Sequence, residues 1–174
     1  MSVFLVLTVI GDDKPGLVEQ LSTTISRHQG NWLESSMSHL AGKFAGILKV
    51  SVPSAQADAL KAALGNLSQL KVIAETSIDT PARRYNRRLT LNLVGHDRIG
   101  IVREVSQVLA KHSVNVEKLS TFTSSAPMSA EPLFHAQAEL QATPDLDAPA
   151  LKADLEQLSN DLIVDIALDE IVAV

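Results

Sequence analysis

Gly11-Asp12-Asp13-Lys14-Pro15-Gly16-Leu17-Val18 returns, lightly altered, as Gly95-His96-Asp97-Arg98-Ile99-Gly100-Ile101-Val102, 84 residues further along the chain. The same offset holds outside the stretch. Leu5, Leu7 and Val9 map onto Leu89, Leu91 and Leu93; Leu17, Val18, Leu21 and Ile25 map onto Ile101, Val102, Val105 and Leu109; Asn31 maps onto Asn115. Self-similarity at a fixed period takes precedence over any local reading. Two copies of more than eighty residues make a duplicated domain, with bounds expected at 1–80 and 88–174 and a linker over 81–87.

Working outward from the repeated stretch, Val3 to Ile10 is an apolar, β-branched run that predicts a buried strand. The segment from Gly16 to Gln29 places Leu17, Val18, Leu21 and Ile25 on one helical face, with Pro15 suited to its first turn and Gly30 to a left-handed cap. Trp32–Leu40 and Phe44–Val52 predict a hairpin around Ala41-Gly42-Lys43. Ser54 reads as the N-cap of a helix carrying Leu60, Leu64 and Leu67, and Lys71 to Ile78 as a closing strand. The second copy repeats the order with strands over Arg88–Val94, Asn115–Thr123 and Ile163–Val172 and a helix over Ile99–His112. Between them, apolar Phe134, Ala136, Ala138 and Leu140 alternate with polar neighbours, and Leu151, Leu155 and Leu158 form the second helix stripe. The offset has grown from 84 to 91 by that stripe, which places an insertion in the loop Ser124–Pro132. The β-α-β-β-α-β order is the split βαβ unit, so the fold class is α+β: two ferredoxin-like domains in tandem, each an antiparallel four-stranded sheet with helices on one face.

Composition bounds the function. Hydrophobic residues at 45% and charged residues at 20% exclude a disordered chain. The absence of cysteine excludes disulfides and thiolate chemistry, and no cofactor is expected. The net charge of −5 is shared between residues 1–80, with six basic and seven acidic groups, and residues 81–174, with nine and thirteen. Such a balance argues against phosphate-backbone binding. Arg83, Arg84, Arg87 and Arg88 are a local exception, read either as an anion-binding cluster or as a solvated linker running into a charged strand edge. The apolar stretch at the N-terminus is too short to span a bilayer and lacks a signal-peptide pattern, so a cytoplasmic protein without membrane contact is expected. His28 and His112 fall near helix C-termini, where a cation suits the dipole, and no histidine spacing signals a metal. Trp32 reads as core or interface packing, or as a pocket wall.

The ferredoxin-like order, the Gly-Asp-Asp-Lys-Pro-Gly-Leu-Val loop after strand one and Gly30-Asn31 opening strand two resemble the ACT domain. That module is regulatory and binds amino acids and other small ligands. A tandem pair of this length, with no catalytic segment beside the two copies, is similar to the glycine cleavage system transcriptional repressor group. The resemblance implies a non-enzymatic sensor of a small amino acid, glycine foremost. It implies a DNA-binding transcriptional activator protein as partner, with no direct contact to nucleic acid. It places the ligand near the loop, at an interface between two domains, and so points to Gly11, Asp12, Asp13, Gly16 and Leu17, with Gly95, His96, Asp97, Gly100 and Ile101 in the second copy.

The residues carry a physical reading of their own. A strand ending in glycine, then acids, then Pro-Gly at a helix start exposes backbone N–H groups that donate to a carboxylate. Asp13 or Asp97 meets an ammonium, so a zwitterion is matched at both ends, and Asn31 and Asn115, expected beside the loop, add amide groups. Against this stands turn geometry, which asks for Gly and Asp in any tight βα connection. The copies differ at Asp12 and His96 and at Pro15 and Ile99. No nucleophile elbow, Walker spacing or dinucleotide fingerprint is present; His96 with Asp97 is the one acid–base pair a catalytic reading has to work with. A ligand-independent protein-interaction scaffold is the competing function. Uncovered sheet edges and faces favour a homodimer.

Overall fold

Leu5, Leu7 and Val9 alternate with Val6, Thr8 and Ile10 along the first strand, and the first set is fully buried while the second is exposed. That two-residue period fixes which face of the sheet the helices cover. In the computed structural model, which describes residues 1–77, 87–128 and 130–168, strand β1 (Ser2–Asp12) leads to helix α1 (Leu17–Arg27) and the hairpin β2 (Asn31–Leu40) and β3 (Lys43–Pro53). A 3-10 turn (Ser54–Gln56), helix α2 (Ala57–Gly65) and strand β4 (Leu70–Ser77) complete the first copy. The second copy runs β5 (Arg87–His96), α3 (Ile101–Lys111), β6 (Asn115–Ser125), β7 (Pro132–Ala142), α4 (Ala148–Glu156) and β8 (Ile163–Leu168). The strand orders are β2-β3-β1-β4 and β6-β7-β5-β8, antiparallel throughout. The two ferredoxin-like sheets expected from the repeat are therefore present.

The chain divides into two compact units, Met1–Pro81 and Ala82–Val174, each with its own apolar core. In the first, Leu17, Leu21 and Ile25 of α1 and Leu60 and Leu64 of α2 pack on Leu5, Leu7, Val9, Leu48 and Val50. Trp32 and Met37 of β2 pack against that core half-buried. In the second, Ile101, Val105 and Leu109 of α3 and Leu151 and Leu155 of α4 pack on Leu89, Leu91, Leu93 and Leu140. Among the described residues no polar side chain is buried in either core, and no helix is long and apolar enough to cross a membrane. Register places six of the seven inserted residues of the second copy between β6 and β7, since Leu5 pairs with Val50 and Leu89 with Leu140, and one more before α4. The linker at 81–87, with Arg83 and Arg84, and the end of the last strand beyond Leu168 lie outside the described residues, save Arg87 at the start of β5.

Several local expectations are corrected. The left-handed residue after α1 is Gln29, with φ 59, matched by Ser113 in the second copy; Gly30 is needed for space, because a Cβ there would meet Ile25 Cγ2 at 2.8 Å and its carbonyl oxygen at 3.0 Å. Pro15 precedes the helix, and Gly16 caps it with φ 94, a conformation open to glycine. Ser54 opens a 3-10 turn and caps no α-helix; Asp147 is a genuine cap, accepting a hydrogen bond from the Ala150 N–H at 3.0 Å. The β2–β3 turn has both Ala41 (φ 49) and Gly42 (φ 78) left-handed, the signature of a type I′ hairpin whose twist suits the strands.

Candidate functional site

Register places each sequence-predicted residue. Gly11 pairs with Phe44 on one side and Leu70 on the other, at the end of β1 where the chain leaves the sheet for α1. A side chain at Gly11 would meet the Gln69 carbonyl oxygen at 2.5 Å, so this glycine keeps the strand ends close. Asp12 pairs in register with Lys43 and forms an ion pair with its ammonium; that bond, and then the charge, holds the Asp12 carboxyl below the ordinary range. The Asp13 N–H donates to the Gly42 carbonyl at 2.9 Å, and its carboxylate lies 3.6 Å from Nε2 of His39. His39 is brought there because β2 pairs it with Phe44. Gly16 and Leu17 then start α1, Leu17 facing the core at 3% exposure.

Between these groups opens a cleft of about 220 Å³ lined by Asp13, Lys14, Gly16, Leu17, Val18, Glu19 and Phe44. No side chain caps α1, whose first-turn residues Leu17, Val18 and Glu19 line this cleft, so the positive end of the helix dipole lies beside it. A volume equal to about seven waters suits a molecule of a few heavy atoms. Phe44 supplies an apolar wall that the sequence reading missed; its place directly across from Gly11 in the hairpin was the available signal.

The second copy arranges the same positions differently. Gly95 packs against Leu162, whose Cδ1 a Cβ would meet at 2.7 Å. His96 stands where Asp12 does and is held on both ring nitrogens, Nδ1 at 2.9 Å from Asp161 and Nε2 at 3.0 Å from Glu131. Asp97 donates its N–H to the Pro132 carbonyl at 2.9 Å. Arg98 binds Glu104 in the first turn of α3 at 3.0 Å, an internal pairing across the helix start that follows Gly100 and buried Ile101. The first copy has no such pair: Lys14 forms no ion pair among the described residues.

Asn31 and Asn115 do not join these loops. Asn31 pairs with Ser51, which pairs with Phe4, whereas Gly11 sits seven residues further along β1. At about 3.4 Å per residue this puts Asn31 more than 20 Å from the loop. Asn115 pairs with Gln141, opposite Arg88, and is equally remote from Gly95. The reason is topological: the strand next in sequence is the outer one, and its start lies at the far end of the sheet.

The histidines at the helix ends are engaged locally. His28 Nδ1 lies 2.9 Å from the Thr24 carbonyl, and His112 Nε2 lies 2.9 Å from Asp154, tying α3 to α4. Lys111 and then His112 hold the Asp154 carboxyl below its ordinary range. Arg87 donates to the Leu146 carbonyl at 2.7 Å, a structural role, while Arg88 is exposed. Among the described residues no group of three or more His, Asp or Glu side chains is placed to hold a metal ion.

The architecture and the loop define a tandem of ferredoxin-like domains with a small cleft at the first βα connection. Residues 3–76 match the family model of the ACT domain. The match lies within the first unit, and the second unit repeats its strand order, so the chain carries two ACT-type βαββαβ repeats. It is similar over 99% of its length, and over 100% of the other chain, to an unknown protein from Galdieria sulphuraria, with 27% identity and a TM-score of 0.84. A second solved structure, named "putative glycine cleavage system transcriptional repressor", shares the fold over 98% of this chain and 99% of its own, with 15% identity and a TM-score of 0.67. No curated protein matches the sequence.

Proposed function

We propose that this protein is a non-enzymatic regulator that senses a small amino acid, glycine foremost, through its first βα loop. In this reading it passes the signal on by contact with a DNA-binding regulatory protein and touches no nucleic acid itself. The observation that carries the reading is the cleft between Asp13 and the uncapped start of α1. Its two ends are of opposite character: N–H groups and Lys14 for a carboxylate, Asp13 for an ammonium. The second loop, with Arg98 committed to Glu104 and His96 to Asp161 and Glu131, serves as a structural brace in this account. The protein works as a homodimer. The partner assignment rests on the fold shared with the repressor named above and on the acidic net charge of −5.

Thermal unfolding of the full chain against a panel of the twenty amino acids tests the sensor reading. A ligand at a hundredfold its dissociation constant stabilises by about 2.7 kcal/mol, which raises the melting temperature by several degrees in a domain of this size. A selective rise with glycine or a close relative is expected. A flat panel contradicts the sensor and favours the ligand-independent scaffold, for which the fully exposed edge strand β6 is the supporting feature.

A further inference from the structure

The helix-free face of the first sheet carries Val6, Ile10, Ile47 and Ile73 at 37%, 43%, 56% and 52% exposure. They are contiguous. Thr8 of β1 pairs with Ile47 of β3 on one side and Ile73 of β4 on the other, and Val6 and Ile10 flank Thr8 along the strand. The second sheet has the same topology and supplies an internal comparison: its equivalent row reads Gln137, Asn92, Asp165, and Thr90 replaces Val6. Ile10 is matched by Val94, but the fold accepts polar residues at the positions of Val6, Ile47 and Ile73, and the aliphatic side chains there in the first sheet answer another demand. Contiguous exposed apolar surface of this kind marks an interaction site.

The pattern of the face identifies its occupant. One row along, Val6 lies between Lys49 of β3 and Glu75 of β4. The Lys49 ammonium rests over the Phe4 ring, 4.6 Å from its centroid. A two-fold axis running along β1 exchanges the two sides of the face. It sets Ile47 of one copy over Ile73 of the other, Lys49 over Glu75, and Thr8 over itself. The next row, Ala45, Ile10, Lys71, sets Lys71 over Ala45 and opposes no like charges. Self-complementarity in both shape and charge is what an isologous interface requires. Sheets packed in this way lie about 10 Å apart with strands nearly aligned.

We propose that a second copy of this chain packs its first sheet face to face on this surface, about a two-fold axis parallel to β1. The inference rests on the homodimer reading above and gives it a surface. It is independent of amino-acid binding.

Sedimentation velocity on the full chain tests it. The wild type is expected at twice the chain mass of 18.7 kDa. The double substitution Ile47→Gln with Ile73→Asp borrows the residues the second sheet tolerates, and should raise the dimer dissociation constant at least about tenfold without altering the far-UV circular dichroism. Lys49→Glu alone should weaken the dimer, and adding Glu75→Lys should restore it. Should the Ile47 and Ile73 variant be too unstable to study, Thr8→Cys provides the second test. It introduces the chain's sole thiol, on the axis, and a short bis-maleimide should link two copies in high yield. A dimer as tight as wild type in the Ile47 and Ile73 variant, or no cross-link at position 8, overturns the assigned face and leaves the homodimer standing. A charge swap that restores nothing overturns the axis. A wild type that stays monomeric at the highest concentration reached overturns both the face and the homodimer.

Discussion

Asp161 accepts a hydrogen bond from the His96 backbone N–H at 2.7 Å while the same oxygen lies 2.9 Å from Nδ1 of the His96 ring. One carboxylate thus fixes both the end of β5 and the side chain that emerges from it. Ser159 adds a third bond, and with the His96 N–H it lowers the Asp161 carboxyl from 3.8 to about 2. In the first copy the position of His96 is occupied by Asp12, held by Lys43.

A pH prediction follows from the sign of that shift. A carboxyl whose folded pKa lies below its unfolded value contributes stability that is complete above the unfolded pKa and is lost as pH falls through the folded one. For Asp161 the window runs from about pH 4 down to about pH 2. Melting temperatures of the wild type and Asp161→Asn should differ most above pH 4 and converge as pH approaches 2. A constant difference across that window contradicts the role assigned to Asp161.

Gly11 and Gly95 share a position in the repeat, yet they should respond unequally to alanine. At Gly11 the new Cβ meets a backbone oxygen at 2.5 Å, which the chain must move to relieve, and a loss of about 1–3 kcal/mol is expected. At Gly95 the obstacle is the Leu162 methyl at 2.7 Å, a side-chain end that can turn aside, and alanine also stiffens the unfolded chain. Urea unfolding should rank Gly11→Ala as the more damaging; equal losses contradict the contact assignment.

Asp147 is a side-chain helix cap, and Asp147→Ala should lower the stability of the second unit by about 1 kcal/mol. Asp147→Asn should recover most of the loss, since the amide oxygen still accepts from the Ala150 N–H. Denaturant midpoints followed by far-UV circular dichroism measure both.

The repeat was legible because burial repeats with it: Leu5, Leu7 and Val9 face the helices as Leu89, Leu91 and Leu93 do, so one period fixes two sheets. The loop residues from Asp12 to Leu17 could be grouped because they are adjacent in sequence. What failed was whatever depended on register. Asn31 looked like a neighbour of Gly11 because strand two follows helix one, but β3 lies between β2 and β1 and runs Asn31 to the opposite end. Phe44 reaches the cleft, and His39 the Asp13 carboxylate, by that same register. Gln29 and not Gly30 takes the left-handed turn, as Ser113 does ahead of Val114 in the second copy, so the turn itself does not call for glycine.

The most direct test of the account is calorimetric titration of glycine, alanine and serine into the wild type, Asp13→Ala and Asp97→Ala. Saturable one-site binding to the wild type is expected. Asp13→Ala should weaken it at least about tenfold, the scale of a lost charge-assisted contact, and Asp97→Ala should leave it intact. No binding at millimolar amino acid, or binding that ignores Asp13, would contradict the claim that the first loop is the sensor.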